Sequence, residues 1–247
     1  MSNFAYTELT DGKQAIFVDD EFLHQVKVLR QRPGDQINFL DGRGGAYQGK
    51  ISKIDNQKKT LAVEITEYTG FPQPLPLQLL VALPKAAKID AIIQKAVELG
   101  VSRITPLLTA RTIVRIDSLE KQESRHQHWR NIAVASLKQS GGPYLPVIDQ
   151  PTKLIDLDGI NPADSSIDKI VFHPQASQHF ADTVCHLNKE AATALLLGPE
   201  GGLSEEEIDC LTRKGYMASS LGKRILRLET AVVTALTLVQ FIKRNLC

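Results

Sequence analysis

The chain has 247 residues, a formal net charge of +1, 43% hydrophobic and 23% charged residues. That is the composition of a globular protein with its own core in one or two domains, and it excludes a disordered, collagen-like or disulfide-stapled chain. A net charge so close to zero excludes a polycation, so any nucleic acid would have to be met by local basic patches.

Short alternating runs come first, at Gln14–Val18, Gln36–Leu40, Ala46–Ile54 and Thr60–Thr66. Period-two alternation is the mark of half-buried strands, and Asp41-Gly42-Arg43-Gly44-Gly45 between two of them reads as a hairpin turn. One helix is predicted over Asp19–Arg30, with Asp19 or Asp20 as its N-cap. Gly70-Phe71-Pro72-Gln73-Pro74-Leu75-Pro76 has three alternate prolines; it is stiff, cannot be helical, and reads as a linker. Residues 1 to about 71 are therefore expected to form a small β-rich domain.

Beyond the linker, strands and helices alternate. Apolar strands are expected at Leu77–Leu83, Arg103–Leu108, Lys169–Phe172, Thr193–Leu197 and Tyr216–Leu221, and helices at Lys88–Leu99, Leu119–Gln139, Ser204–Lys214 and Thr230–Arg244. This pattern predicts a mostly parallel α/β sheet whose strands are buried on both faces. The last helix is apolar almost all round, so it must be buried, with a subunit interface as one option.

Cys185, Cys210 and Cys247 lie far apart and match no metal or disulfide spacing, as expected in a reducing cytoplasm. The N-terminus shows no signal-peptide pattern. The longest apolar run, near Ala231–Ile242, is broken by Thr234, Thr237 and Gln240 and falls short of the roughly 18 residues of a membrane span. The six histidines form no ligand cluster, and His126 and His128 read as surface residues. No metal and no membrane contact is expected.

Three stretches carry candidate chemistry. In Leu195–Ile208 an apolar strand ends in Gly198-Pro199-Glu200-Gly201-Gly202, and a helix follows with Ser204 and Glu207 spaced as a capping box. Open α/β sheets bind ligands beyond the carboxyl ends of their strands. The loop matches neither common phosphate- nor dinucleotide-binding pattern, and its glutamates would repel a phosphate. A nucleoside without phosphates suits it, and S-adenosylmethionine, with cationic sulfonium and amine, is one; a plain turn with helix-stabilising acids is the alternative. The second stretch, Ser219–Ala231, puts Lys223, Arg224 and Arg227 in a basic loop ahead of the last helix, where an arginine could also simply pair with Glu229. In the third, Lys85 and Lys88 follow a strand and could meet phosphates, although solvated lysines are the more common case. Between Arg103 and Lys138, seven basic residues face three acidic ones, a local excess that suits RNA as well as a solvated surface.

Taken together, the stretches His24 with Val28-Leu29-Arg30, Lys95–Val101, Trp129–Gly141, Leu197–Gly202 and Leu221–Ala231 resemble the bacterial 16S ribosomal RNA (uracil-N3)-methyltransferases, of the SPOUT class. The resemblance runs in order along nearly the whole chain. It implies a PUA-like β-barrel domain over 1–71 that binds RNA, then a SPOUT α/β methyltransferase domain over 72–247 with a C-terminal trefoil knot. It also implies a homodimer acting on ribosomal RNA or the assembled small subunit. The implied S-adenosylmethionine site consists of Leu197, Gly198, Glu200, Gly201, Gly202, Ser220, Leu221, Gly222, Ile225, Leu226 and Arg227. Arg227 is the expected catalytic residue, and His24, Arg30, Arg43, Lys85, Lys88, Arg111, Lys223 and Arg224 are the expected RNA contacts. The chain departs from the family's usual pattern at Lys138, where an acid is common, at Gly142, where an arginine is, and at Ala86, where a glycine often follows the lysine. Ribose 2′-O-methylation of RNA and a non-catalytic RNA-binding role in ribosome assembly are the rival readings.

Overall fold

The computed structural model describes residues 4–8, 10–84, 86–112, 119–159 and 167–243. The chain divides into two compact units, residues 1–73 with 134–145, and residues 74–133 with 146–247.

The first unit holds β1 (Ala5–Tyr6), β2 (Gln14–Phe17), α1 (Asp19–Leu23), β3 (Gln36–Leu40), β4 (Gly45–Asp55) and β5 (Thr60–Gly70). Its sheet runs β1-β3-β4-β5-β2 and is antiparallel except where β1 pairs parallel with β3. Alternation explains the core: β2 buries Ala15 and Phe17, and β3 buries Ile37 and Phe39. Phe17 meets Phe39 edge-on at 5.3 Å, and Phe39 stacks on Tyr47 at 4.8 Å. A buried ring of this kind contributes about 1.5–3 kcal/mol by leaving water, with aromatic contact adding about 1 kcal/mol. The Asp41 turn is tied from within: Asp41 Oδ1 accepts from Arg43 and Gly45 N–H, and Oδ2 from the Tyr47 hydroxyl at 2.9 Å.

The helix expected over Asp19–Arg30 is shorter than its pattern. The α-helix stops at Leu23, and His24–Val28 continues as a π-helical turn. Neither Asp19 nor Asp20 is the N-cap; Val18 stands there, and the aspartates fill the first turn, where the helix dipole favours them. Arg30 ends the segment with φ +56°, a left-handed conformation in which the helix cannot propagate.

The second unit holds β6 (Leu77–Ala82), α2 (Ala86–Glu98), β7 (Arg103–Leu108), α3 (Leu119–Ser140, whose last turns belong to the first unit), β8 (Val147–Ile148) and β9 (Thr152–Lys153). There follow β10 (Asp168–Phe172), α4 (Phe180–Thr183), β11 (Thr193–Leu197), α5 (Glu205–Arg213), β12 (Met217–Ser219) and α6 (Leu228–Ile242). Every pairing among these strands is parallel, in the order β12-β10-β11-β6-β7-β8, with β9 also on β7. β6 and β11 are buried at every position, as strands covered on both faces must be. One face gathers Leu80, Val171, Leu196, Leu203 and Leu211. The alternate residues Leu79, Ile170 and Leu195 are equally buried, and α6 packs against β11 and α2. At the far end of α6 the side chain of Lys243 is only 3% exposed; it donates to Asn188 O at 3.0 Å and lies 3.6 Å from Asp168 Oδ2. Burial holds the Lys243 ammonium below and the Asp168 carboxyl above their ordinary pKa values, opposing their mutual attraction.

Among the described residues, the short elements β1, β8, β9 and α4 go beyond the sequence expectation, as do 3-10 turns at Leu154–Gly159 and Val184–His186. They are two to six residues long, too short to show a period. Among the described residues no helix is long and apolar enough to cross a membrane, and no three His, Cys, Asp or Glu side chains group as metal ligands.

Candidate cofactor site

A parallel sheet sends the loops after β6, β7, β10, β11 and β12 to one edge, and the candidate residues of the second unit sit on them. After β11 the chain makes a tight turn closed by Gly202 N–H on Pro199 O at 2.8 Å. Gly198 must be glycine, because a Cβ there would stand 2.8 Å from Leu203 Cγ. Ser204 then caps α5 in a complete capping box: its side chain accepts from Glu207 N–H while Glu207 Oε2 accepts from Ser204 N–H. Hydrogen bonds from its own N–H and from Ser204 hold the Glu206 carboxyl below its ordinary pKa, with the Arg111 charge adding. The start of α5 is thus firmly anionic, which disfavours a phosphate there.

The second loop follows β12. Ser219 is fully buried, and Thr183 Oγ1 donates to its hydroxyl at 2.9 Å. Ser220 N–H donates to Gln178 O and Ser220 O accepts from Phe180 N–H, so the segment 178–183 anchors the loop from below. Gly222 turns the chain with φ +121°, a conformation closed to other residues. Lys223, Arg224 and Arg227 are exposed, and Ile225 is 87% exposed. Arg227 is the N-cap residue of α6, with no side-chain cap of its own.

Lys88, in the first turn of α2, is bonded to the first loop and lies within electrostatic reach of the second. Its Nζ donates to Glu200 Oε1 at 2.5 Å. That bond holds the ammonium above its ordinary pKa; the Glu229 charge adds to the effect and the Arg227 charge opposes it, so all four groups lie within electrostatic reach. Glu229 Oε2 is buried with no hydrogen-bond partner, so the pairing of Glu229 with a loop arginine is not what the structure shows. Arg111 Nη1 donates to Gly201 O at 2.5 Å.

The expected residues Leu197, Gly198, Glu200, Gly201, Gly202, Ser220, Leu221, Gly222, Ile225, Leu226 and Arg227 all lie on these two loops or the strand ends that feed them. Lys88, Arg111, Lys223 and Arg224 belong to the same unit, and Lys85 lies outside the described residues. His24, Arg30 and Arg43 belong to the first unit: His24 opens the π-helical turn, Arg30 is exposed, and Arg43 is an exposed cation 3.6 Å from Glu8. His126 bonds Ile148 O and His128 bonds Asp90, each within the second unit. Sequence reasoning missed His179. A Cβ on Gly222 would lie 3.6 Å from its Nε2, and its Nδ1 accepts from Ala181 N–H, which leaves the Nε2 of the neutral ring as a donor beside the loop. No local signal marks it, because only the pairing of His179 with Ser220 brings it there.

Residues 71–240 match the RNA methyltransferase domain family, and residues 19–65 the RNA methyltransferase PUA domain. Ribosomal RNA small subunit methyltransferase E of Bacillus subtilis is 31% identical, over 90% of this chain and 88% of the relative. Its Synechocystis counterpart is 30% identical, over 85% of this chain and 67% of the relative. A Legionella pneumophila methyltransferase solved with bound cofactor SAM superposes with a TM-score of 0.83 at 30% identity, covering 98% of each chain. Ribosomal RNA small subunit methyltransferase E of Neisseria gonorrhoeae, bound to S-adenosyl methionine, gives 0.82 at 28% identity and the same coverage. With a PUA-like domain followed by a SPOUT α/β domain, and with this similarity along nearly its whole length, the chain belongs to the ribosomal RNA small subunit methyltransferase E family.

Proposed function

We propose that this protein is an S-adenosylmethionine-dependent methyltransferase of small-subunit (16S) ribosomal RNA, acting on N3 of a uridine. The observation that carries the reading is the buried carboxylate oxygen of Glu229, left without a partner in the first turn of α6 just after the second glycine loop, while Lys88 holds Glu200 on the first. A buried carboxylate oxygen without a partner calls for a cationic or proton-donating ligand. The site fits such a ligand: Glu200 and Glu229 are its carboxylates, Leu197, Leu221 and Leu226 its apolar side chains, and the start of α5 repels phosphate. When bound, S-adenosylmethionine supplies an electrophilic methyl group on a sulfonium.

The chain's own part is to bind, align and hold charge. Aligning the uracil ring and excluding water supplies several kcal/mol of the barrier. N3 of uracil is protonated at neutral pH; its proton passes to solvent water, and a cation beside the ring stabilises the uracilate whose N3 takes the methyl group. Arg227 is the group for this, with Lys223 and Arg224 on RNA phosphate. The target base has to be unpaired or flipped out.

Residues 1–71 serve as the RNA-gripping domain and 72–247 as the methyltransferase domain. Arg30 and Arg43, both exposed, and His24 on its π-helical turn support the first role. The protein acts as a homodimer in the cytoplasm; Leu238 and Phe241 on α6 and Ile225 expose apolar surface that a second copy would cover. The C-terminal segment is knotted, a reading supported by the path from β11 past β10 to β12 and back to α6 on β11.

Calorimetric titration with S-adenosylmethionine, with ATP and NAD as controls, tests the cofactor. Selective binding near one site per chain is expected; no binding at millimolar ligand would leave an RNA-binding assembly factor. Nucleoside mass spectrometry of treated small-subunit RNA should then show 3-methyluridine, and a 2′-O-methylated nucleoside instead would move the acceptor to ribose.

A further inference from the structure

Two of the cations expected on RNA are engaged elsewhere. In the sheet β11 lies next to β6, and β6 next to β7, so the loops that follow these three strands are neighbours. Lys88, in the helix after β6, donates to the Glu200 side chain at 2.5 Å. Arg111, in the turn after β7, donates to the Gly201 carbonyl at 2.5 Å. Consecutive residues of the glycine loop are thus held from two sides, by the start of α2 and by the turn after β7. The Arg111 turn is itself fastened, since Ala110 N–H donates to Glu207 Oε1 at 2.8 Å and Thr109 N–H to Thr112 Oγ1 at 2.9 Å. Glu207 also completes the cap of α5, so the turn, the glycine loop and the helix start form one hydrogen-bonded assembly.

From this geometry we infer that Lys88 and Arg111 are positioning residues that set the conformation of the Gly198–Gly202 loop for its ligand, rather than contacts to RNA phosphate. A phosphate contact needs a cation whose charge is free to displace counterions. Lys88 has the Glu200 carboxylate against it, which offsets its charge and orients its ammonium toward the glycine loop. Arg111 keeps its charge, but the bond to the Gly201 carbonyl orients its guanidinium on the loop and holds a peptide plane of the turn. Each bond is exposed and contributes little to global stability. Its effect falls on the loop, where small displacements weaken ligand contacts steeply. The inference rests on the reading of this loop as the S-adenosylmethionine site.

The test compares full-length wild type with Lys88→Gln, Lys88→Arg and Arg111→Gln. Calorimetry gives the Kd for S-adenosylmethionine. Anisotropy with a small-subunit RNA transcript, without cofactor and over a series of salt concentrations, gives RNA affinity and its salt slope. Thermal unfolding checks that each variant is folded. Both glutamine variants should weaken S-adenosylmethionine about tenfold, as loss of a charge-assisted hydrogen bond does. Lys88→Arg should recover most of the affinity, and RNA affinity and salt slope should not change. A salt slope lowered by about one per residue, with cofactor affinity intact, would assign both cations to phosphate and overturn the inference. Wild type that binds S-adenosylmethionine beside variants that bind it equally well overturns the inference alone. Wild type that binds none overturns the cofactor reading, and the inference with it.

Discussion

Lys138 Nζ lies 2.7 Å from Glu21 Oε2, an ion pair between residues 117 apart whose side chains are only 23% and 13% exposed. The other Glu21 oxygen accepts from Gln25 Nε2 at 2.7 Å, so the carboxylate is fully engaged. This accounts for one departure from the family pattern: the lysine at 138 has its counter-charge within the first unit. Lys138→Ala should lower unfolding stability by about 1–2 kcal/mol, between the values for exposed and buried pairs. The exchange Lys138→Glu with Glu21→Lys should recover most of that loss in urea unfolding. Equal stability of Lys138→Ala and wild type would show that the pair contributes nothing.

Tyr47 should make the first unit sensitive to alkali. Burial pushes its hydroxyl up to about 12, and the hydrogen bond to Asp41 adds to the shift. A folded-state pKa above the unfolded value of about 10 means that the neutral phenol stabilises the fold. That contribution is complete below pH 10 and is lost as pH rises through 12. Phenolate absorbance should therefore show one tyrosine titrating late, together with a fall in stability over that window. Tyr47→Phe should remove the late titration and flatten the pH dependence.

Ser204→Ala should cost about 1 kcal/mol in thermal unfolding, the usual worth of an N-cap. Glu207→Ala should cost more, because Glu207 closes the capping box and also accepts from Ala110 N–H. If Glu207→Ala is the milder change, the second bond carries no energy.

Arg227→Ala should lower kcat about 10²–10³-fold, the range for removing a group that stabilises developing negative charge. Cofactor affinity should stay within a few-fold in calorimetry. Full turnover with normal cofactor binding would take Arg227 out of the reaction.

Glu229→Gln keeps the side-chain shape and removes its charge. If the unpartnered oxygen is there to meet a cation, S-adenosylmethionine should bind about tenfold more weakly. S-adenosylhomocysteine, which lacks the sulfonium charge, should lose less. Equal losses for both ligands would point to the amine they share rather than the sulfonium.

Much of the architecture is legible in the chain because it is local. Alternating runs gave the strands of the first unit, continuous apolar runs those of the second, and Ser204 with Glu207 the start of α5. The two glycine loops are legible for the same reason, since each follows its own strand within a few residues. The shortened first helix was not: the apolar period continues through His24–Val28, while the widened turn and the left-handed Arg30 end the α-helix at Leu23.

What only the tertiary structure decided is which loops meet. β6 comes first in its unit yet lies inside the sheet between β11 and β7, and β12 lies at an edge beyond β10. That order places Lys88 on Glu200 across 112 residues, and Arg111 on Gly201 across 90. Local periodicity records which face of a strand is buried, because burial acts on each side chain separately. It carries no record of which strand lies alongside, because parallel apolar strands such as β6 and β11 present nearly the same surface to any neighbour. The partners of Lys88, Arg111 and Lys138 are set by how the whole sheet and its connections pack, and a lysine or arginine free in the sequence becomes a clamp or an ion pair only there.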